Sequence, residues 1–205
     1  MFAARILYPV EVLGPGKRIG LWLSGCARKC PGCSNPELWE QKQDQQISPQ
    51  RLSGLFHRLA LDHPVDGITI TGGEPMDQAE ELAELLPLLR DLSDDILLYS
   101  GYTLEEIRKK QGGAEQRVLE NLAVLVDGDY QERLNDASPL RGSSNQRVHI
   151  FRESVRSRYK EYLKGESRIQ NFSLGNSIVS AGIHRPDYQT ALKKAAGQKG
   201  LIERD

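Results

Sequence analysis

Short apolar runs alternate along this chain with stretches whose apolar side chains recur every three to four positions, and most runs stop at a glycine. That alternation limits the fold more than any other feature. Gly20-Leu21-Trp22-Leu23 stops at Ser24-Gly25, and Ile68-Thr69-Ile70 stops at Thr71-Gly72-Gly73-Glu74-Pro75. Ile96-Leu97-Leu98-Tyr99 stops at Ser100-Gly101, and Ala123-Val124-Leu125-Val126 stops at Asp127-Gly128. Val148 to Phe151 reads as a fifth strand and Asn176 to Ala181 as a sixth.

Helical signals fill the gaps. Ser48-Pro49 is a cap followed by proline at the first helical position, with Leu52, Leu55, Phe56 and Leu59 along one face. Asp77 and Glu80 form a capping-box pattern ahead of Leu82, Leu85, Leu86 and Leu89, and Pro87 predicts a kink or early stop. Thr103 and Glu106 cap a helix toward Lys110, and a second short helix is expected over 115–121. Val155, Tyr159, Tyr162 and Leu163 outline a basic amphipathic helix, and the polar tail beyond Pro186 carries one more helix, 188–196.

Strands separated by helices pair in parallel through crossover connections. A closed eight-stranded barrel takes about 250 residues, and this chain has 205. The expectation is therefore an α/β fold, a partial (β/α)6-type barrel: a mainly parallel curved sheet with helices outside. It forms a single domain over 1–205, with a core over about 5–185 and a polar tail, 186–205. In a parallel sheet the segments that follow each strand gather on one rim, where ligands bind and where glycine lets backbone come close to them.

The first of those segments holds all three cysteines of the protein, Cys26, Cys30 and Cys33, spaced C-x3-C-x2-C. Pro31 and Gly32 bend the chain between the second and third sulfur. Three soft thiolates with no fourth protein ligand nearby suit an iron–sulfur cube with one open iron. A zinc site more often pairs C-x2-C units or sets histidine at a fixed offset. His57, His63, His149 and His184 lie far along the chain, and His57 falls in a predicted helix. An odd cysteine count disfavours a disulfide framework.

The balance of 27 basic against 28 acidic residues gives a net charge of −1, so no bulk attraction to nucleic acid or membrane follows. The apolar start, Met1 to Leu7, is too short for a signal peptide, and no run approaches the ~18 apolar residues of a membrane span. Cytoplasmic location with reduced thiols is the expectation.

At the cysteine loop and at Gly72-Gly73-Glu74-Pro75 the sequence resembles the radical S-adenosylmethionine superfamily, within it the small activating enzymes of glycyl-radical enzymes. Gly14 to Arg18, Cys33 to Trp39, Tyr99 to Thr103, Leu125 to Gly128 and Gly142 to Arg147 are similar to the activators of anaerobic ribonucleoside-triphosphate reductase. The resemblance covers roughly residues 5–150. It implies that Cys26, Cys30 and Cys33 hold a [4Fe-4S] cluster whose fourth iron binds S-adenosylmethionine. It places Gly72, Gly73 and Glu74 at the methionine ammonium, and Gly32 and Ser34 beside the sulfonium. Ser100 and Asp127 are implied at the methionine or ribose.

The implied reaction is reductive cleavage to a 5′-deoxyadenosyl radical that takes a glycine Cα hydrogen from a partner glycyl-radical enzyme, an anaerobic ribonucleotide reductase. A small reducing protein would supply the electron. Two alternatives stay open at the level of sequence: radical modification of a peptide or small molecule, and a non-enzymatic zinc or electron-transfer protein. His184-Arg185, after the sixth strand, reads as a surface loop in preference to a contact with S-adenosylmethionine, Trp22 and Trp39 as packing residues, and the basic helix over 152–164 as a solvated face in preference to a docking surface for an acidic partner. Ser143-Ser144-Asn145 is a turn or a meeting point for the partner.

Overall fold

Arg18–Leu23 (β2) is buried along its whole length, as a strand covered on both faces must be. Ile19, Leu21 and Leu23 point to one side and Trp22 to the other. β2 pairs in parallel with Gly67–Gly72 (β3), β3 with Ile96–Ser100 (β4), and β4 with Val124–Asp127 (β5). The structure, a computed structural model, describes residues 1–175, 177–185 and 188–198.

Two further strands flank these four, both antiparallel to their neighbours. Ala3–Val10 (β1), which the periodicity did not mark, lies beside β2, and Arg147–Ile150 (β6) beside β5. The sheet runs in sequential order from β1 to β6. β6 is the strand expected at Val148, but it does not continue the parallel series. Between β5 and β6 only a short 3-10 turn, Glu132–Leu134, intervenes. Without a crossover helix the chain must run straight back.

The sixth predicted strand is the other correction. Ser177–Gly182 (β8) pairs antiparallel with Ile169–Leu174 (β7) in a separate hairpin, outside the main sheet. Asn176 lies outside the described residues.

Helices α1 (Pro49–Asp62), α2 (Ala79–Leu85), α3 (Leu104–Lys109) and α4 (Ala114–Asn121) all put their apolar sides into one core with Ile19, Leu21, Ile68, Ile70, Leu98 and Leu125. Sequential strand order with every crossover helix on one face is the arrangement of a barrel wall rather than of a doubly wound sheet. Ser48 Oγ accepts from the Arg51 N–H, and Thr103 with Glu106 completes a capping box, as expected. The Asp77/Glu80 box does not form. Glu74 accepts from the Met76 N–H, a 3-10 turn covers Pro75–Gln78, and α2 starts afterwards. Pro87 does stop the helix: α2 ends at Leu85 and Leu86–Leu89 tightens to a 3-10 turn.

The opposite, inner face of the sheet is filled by the C-terminal part of the chain. Helix α5 (Glu153–Tyr162) inserts Val155 and Tyr159 against Leu97, Val124 and Val126. The β7–β8 hairpin sets Ala181, Phe172 and Val179 against Leu7, Val10, Leu13 and Trp22, and Gln170 Nε2 donates to the Pro9 carbonyl at 2.7 Å. At the entry ends of the strands Arg18, fully buried, meets Asp95 through Nη1 at 2.9 Å and Nη2 at 3.1 Å, and Tyr159 donates its hydroxyl to the same carboxylate at 2.7 Å. Helix α6 (Tyr188–Gln198) ends the described chain. No described helix is long and apolar enough to cross a membrane.

Candidate active site at the strand tips

β2 ends at Leu23 and the cysteine loop begins at once. The Gly25 and Cys26 N–H groups donate to the Leu38 and Trp39 carbonyls at 2.8 and 2.9 Å, which fixes the start of the loop. Cys30-Pro31-Gly32-Cys33 closes a type II turn: the Cys33 N–H donates to the Cys30 carbonyl at 3.1 Å, and Gly32 has a φ of 72°. Proline at the second position and glycine at the third are the residues that geometry favours.

The neighbouring rim lies directly against this loop. The Gly73 N–H donates to the Leu23 carbonyl and the Glu74 N–H to the Gly25 carbonyl, both at 2.8 Å. A Cβ on Gly73 would stand 2.3 Å from the Gly25 oxygen, so backbone packing alone requires glycine there.

An open cleft lies over these strand tips. Cys26, Cys30, Cys33 and Ser34 line it from the first rim segment, Gly72, Gly73 and Glu74 from the second, and Ser100 from the third. The structure therefore brings together eight of the ten predicted site residues. Gly32 and Asp127 do not line the cleft. Gly32 faces Glu132, and Asp127 is buried, accepting from the Leu104 N–H at 2.6 Å and lying 3.0 Å from His149 Nε2. Ser143 is buried and Ser143 to Gln146 closes a turn.

The three thiols are free and half-buried. Burial, chiefly, pushes the Cys30 and Cys33 thiols up, with Cys26 adding to the effect on both. Such thiols become thiolates when a metal takes the proton's place. Among the described residues no three His, Cys, Asp or Glu side chains gather around one ion-sized point. A cube asks for something different: three sulfurs spread around it, one to each of three irons. Three soft donors on one cleft, with the Asn35 N–H already donating to Cys33 Sγ at 3.4 Å, fit that donor set.

Glu74 is 1% exposed, and its carboxylate is bound from inside the protein. It accepts from the Met76 N–H at 2.9 Å, the Ser100 hydroxyl at 2.7 Å and the Gly101 N–H at 2.7 Å. Burial raises its pKa while these donors pull it down. In this arrangement Glu74 ties the second rim segment to the third.

Several lining residues escaped the sequence reading. Trp39, taken as packing, lines the cleft with a buried, unpartnered indole N–H. His184, read as surface loop ahead of a ligand contact, takes the second of those places: it lines the opposite wall with both ring nitrogens buried and unpartnered. Its ring stacks on Tyr188 at 4.2 Å, its carbonyl accepts from Asn135 Nδ2 at 2.8 Å, and burial lowers its pKa. Ser180, Ala181, Gly182 and Ile183 of the hairpin belong to the same wall. Its place just after the last predicted strand was the available signal, but nothing in the sequence folds that strand over the cleft.

Comparison with known proteins bears on this site. A family profile described as a 4Fe-4S single cluster domain matches residues 12–149. The anaerobic ribonucleoside-triphosphate reductase-activating protein of Escherichia coli (strain K12) is 34% identical over 154 residues, 71% of this chain and 96% of that protein. Its counterpart from Enterobacteria phage T4 is 33% identical over 147 residues, covering 69% and 90%. Among solved structures, QueE from Escherichia coli overlaps 50% of this chain and 53% of its own, at 20% identity and a TM-score of 0.42.

Proposed function

Since the chain belongs to the family of anaerobic ribonucleoside-triphosphate reductase-activating proteins, we propose that it activates such a reductase from a [4Fe-4S] cluster on Cys26, Cys30 and Cys33. When bound and reduced, the cluster supplies the electron that splits S-adenosylmethionine into methionine and a 5′-deoxyadenosyl radical, which takes one hydrogen from a glycine Cα of the reductase and leaves as 5′-deoxyadenosine. The observation that carries this reading is the single cleft lined by all three cysteines and by Gly72, Gly73 and Glu74.

The chain's own residues then divide the work. Gly73 keeps the second rim segment in backbone contact with the cysteine loop, so that both ends of the ligand are gripped by one rigid unit. Ser34, Gly72 and Ser100 face the ligand, while Glu74 holds the rim together. The methionine ammonium, a pure donor, meets rim carbonyl groups and the acceptor site left on Glu74, whose oxygens take three of about four hydrogen bonds. Asp127, fully occupied beneath the rim, holds the start of α3 in place of meeting the ribose. The hairpin wall shields the cleft, as a reactive radical requires. The free cysteines fit a reducing cytoplasm, and a small reducing protein serves as electron donor.

The test is anaerobic reconstitution with iron, sulfide, S-adenosylmethionine and reductant. We expect 5′-deoxyadenosine, and with the cognate reductase an EPR doublet of a glycyl radical. A protein that binds a full cluster yet forms neither product refutes the reading.

A further inference from the structure

Arg28 lies inside the cysteine loop, between the first and second sulfur, and its side chain leaves the loop and crosses to the rim. Its guanidinium lies over the Tyr102 ring, 4.2 Å from the centroid. Its Nε is buried without a hydrogen-bond partner, 3.7 Å from the Glu74 carboxylate. It passes where Gly101 has no side chain: a Cβ there would stand 2.5 Å from Arg28 Cδ. Tyr102 is itself fixed, donating its hydroxyl to Asp77 at 2.8 Å. One side chain thus touches the rim segments that follow both β3 and β4.

The residues beside it in the loop face solvent. Lys29, Pro31 and Gly32 are exposed and Lys29 has a φ of 46°, a left-handed conformation that costs a non-glycine residue energy. A strained, exposed loop keeps one shape only when its surroundings over-determine it. Between the first and second cysteine, the cation stacked on Tyr102 beside a buried carboxylate ties the loop to the rim, and cation–π contact and charge act together there.

We propose that Arg28 is a positioning residue that clasps the cysteine loop to the Glu74–Tyr102 rim and so sets where the cluster stands relative to bound S-adenosylmethionine. The proposal rests on the functional reading above. Arg28 does not touch the reacting atoms; it acts through Glu74, Tyr102 and the loop. Releasing it frees the middle of the loop while both anchored ends, at Cys26 and Cys33, remain.

The experiment compares wild type, Arg28→Gln, Arg28→Lys and Tyr102→Leu after anaerobic reconstitution. Iron content, the EPR spectrum of the reduced protein before and after adding S-adenosylmethionine, and KM and kcat for 5′-deoxyadenosine formation are read. Arg28→Gln and Tyr102→Leu are expected to keep full iron but to need about tenfold more S-adenosylmethionine, the loss of roughly 1.4 kcal/mol of positioning, and to show a weakened spectral change on its addition. Arg28→Lys, which keeps a cation over the ring, is expected to recover most of both. Arg28→Gln matching wild type in KM and in the spectral change overturns the proposal. So does loss of iron in Arg28→Gln with a normal Tyr102→Leu, which would assign Arg28 to cluster assembly. A wild type that forms no 5′-deoxyadenosine fails the functional reading instead, and is distinguished by that control.

Discussion

Replacing Asp95 by asparagine keeps the shape of the side chain and removes the charge that faces Arg18. Arg18 is completely buried, and its guanidinium reaches Asp95 through two nitrogens, at 2.9 and 3.1 Å. Removing one partner of a buried pair costs about 3–5 kcal/mol, because the other charge stays buried and uncompensated. Arg18 retains the Thr69 hydroxyl at 2.7 Å and the Pro15, Ile68 and Asp95 carbonyls. The lower end, about 3 kcal/mol, is therefore expected. For a chain of this size each kcal/mol moves Tm by about 2–4 °C, so the midpoint should fall by about 6–12 °C. Tyr159→Phe removes only the 2.7 Å hydroxyl bond to the same carboxylate and should cost about 1.5–2 kcal/mol.

Urea unfolding of the anaerobic protein, followed by circular dichroism, measures both variants. The network sits at the first residue of β2, five residues or about 17 Å from the strand's exit to the cysteine loop. S-adenosylmethionine cleavage per folded molecule should therefore match wild type. A loss under about 1 kcal/mol for Asp95→Asn would refute the claim that Asp95 compensates the buried Arg18 charge.

Gly73→Ala would drive a methyl group into the Gly25 carbonyl; separating the two backbones should cost about 1–3 kcal/mol, seen as reduced iron retention on a desalting column. His184→Phe keeps the stacking on Tyr188 but removes both ring nitrogens, so KM for S-adenosylmethionine should rise several-fold with kcat little changed; an unaltered KM removes His184 from the binding wall. His57 is held above its ordinary pKa by the Ser53 carbonyl and then by Asp91. Its contribution to stability is thus complete below about pH 6.5 and is lost as pH rises through the higher folded value. An NMR titration should show that elevated midpoint, and Asp91→Asn should lower it.

Much of the local architecture was legible in the sequence. The Ser48 cap, the Thr103–Glu106 box, the Pro87 stop and the Pro31-Gly32 turn each depend on partners within a few residues, and all form as read. The Asp77–Glu80 box failed because a buried residue just upstream, Glu74, took over the capping of that turn. The cysteine trio and the diglycine rim met as expected, since parallel pairing sends the ends of β2 and β3 to one edge. Glu74 and Asp127 were read as ligand contacts from their position. Glu74 lines the cleft and also binds the Ser100–Gly101 segment, whereas Asp127 lies beneath the cleft and binds Leu104, which only the folded neighbours reveal.

By itself the sequence determined a parallel sheet with helices on it and three sulfurs at one strand tip, because strand periodicity, turn residues and caps act over a few positions. Only the tertiary structure decided what fills the inner face: α5 reaching Asp95 across 64 residues, and a hairpin reaching Pro9 across 161. An open sheet leaves that face to whichever later segment buries the most apolar surface against it. That selection depends on shape and area summed over distant residues and leaves no periodic mark in the chain.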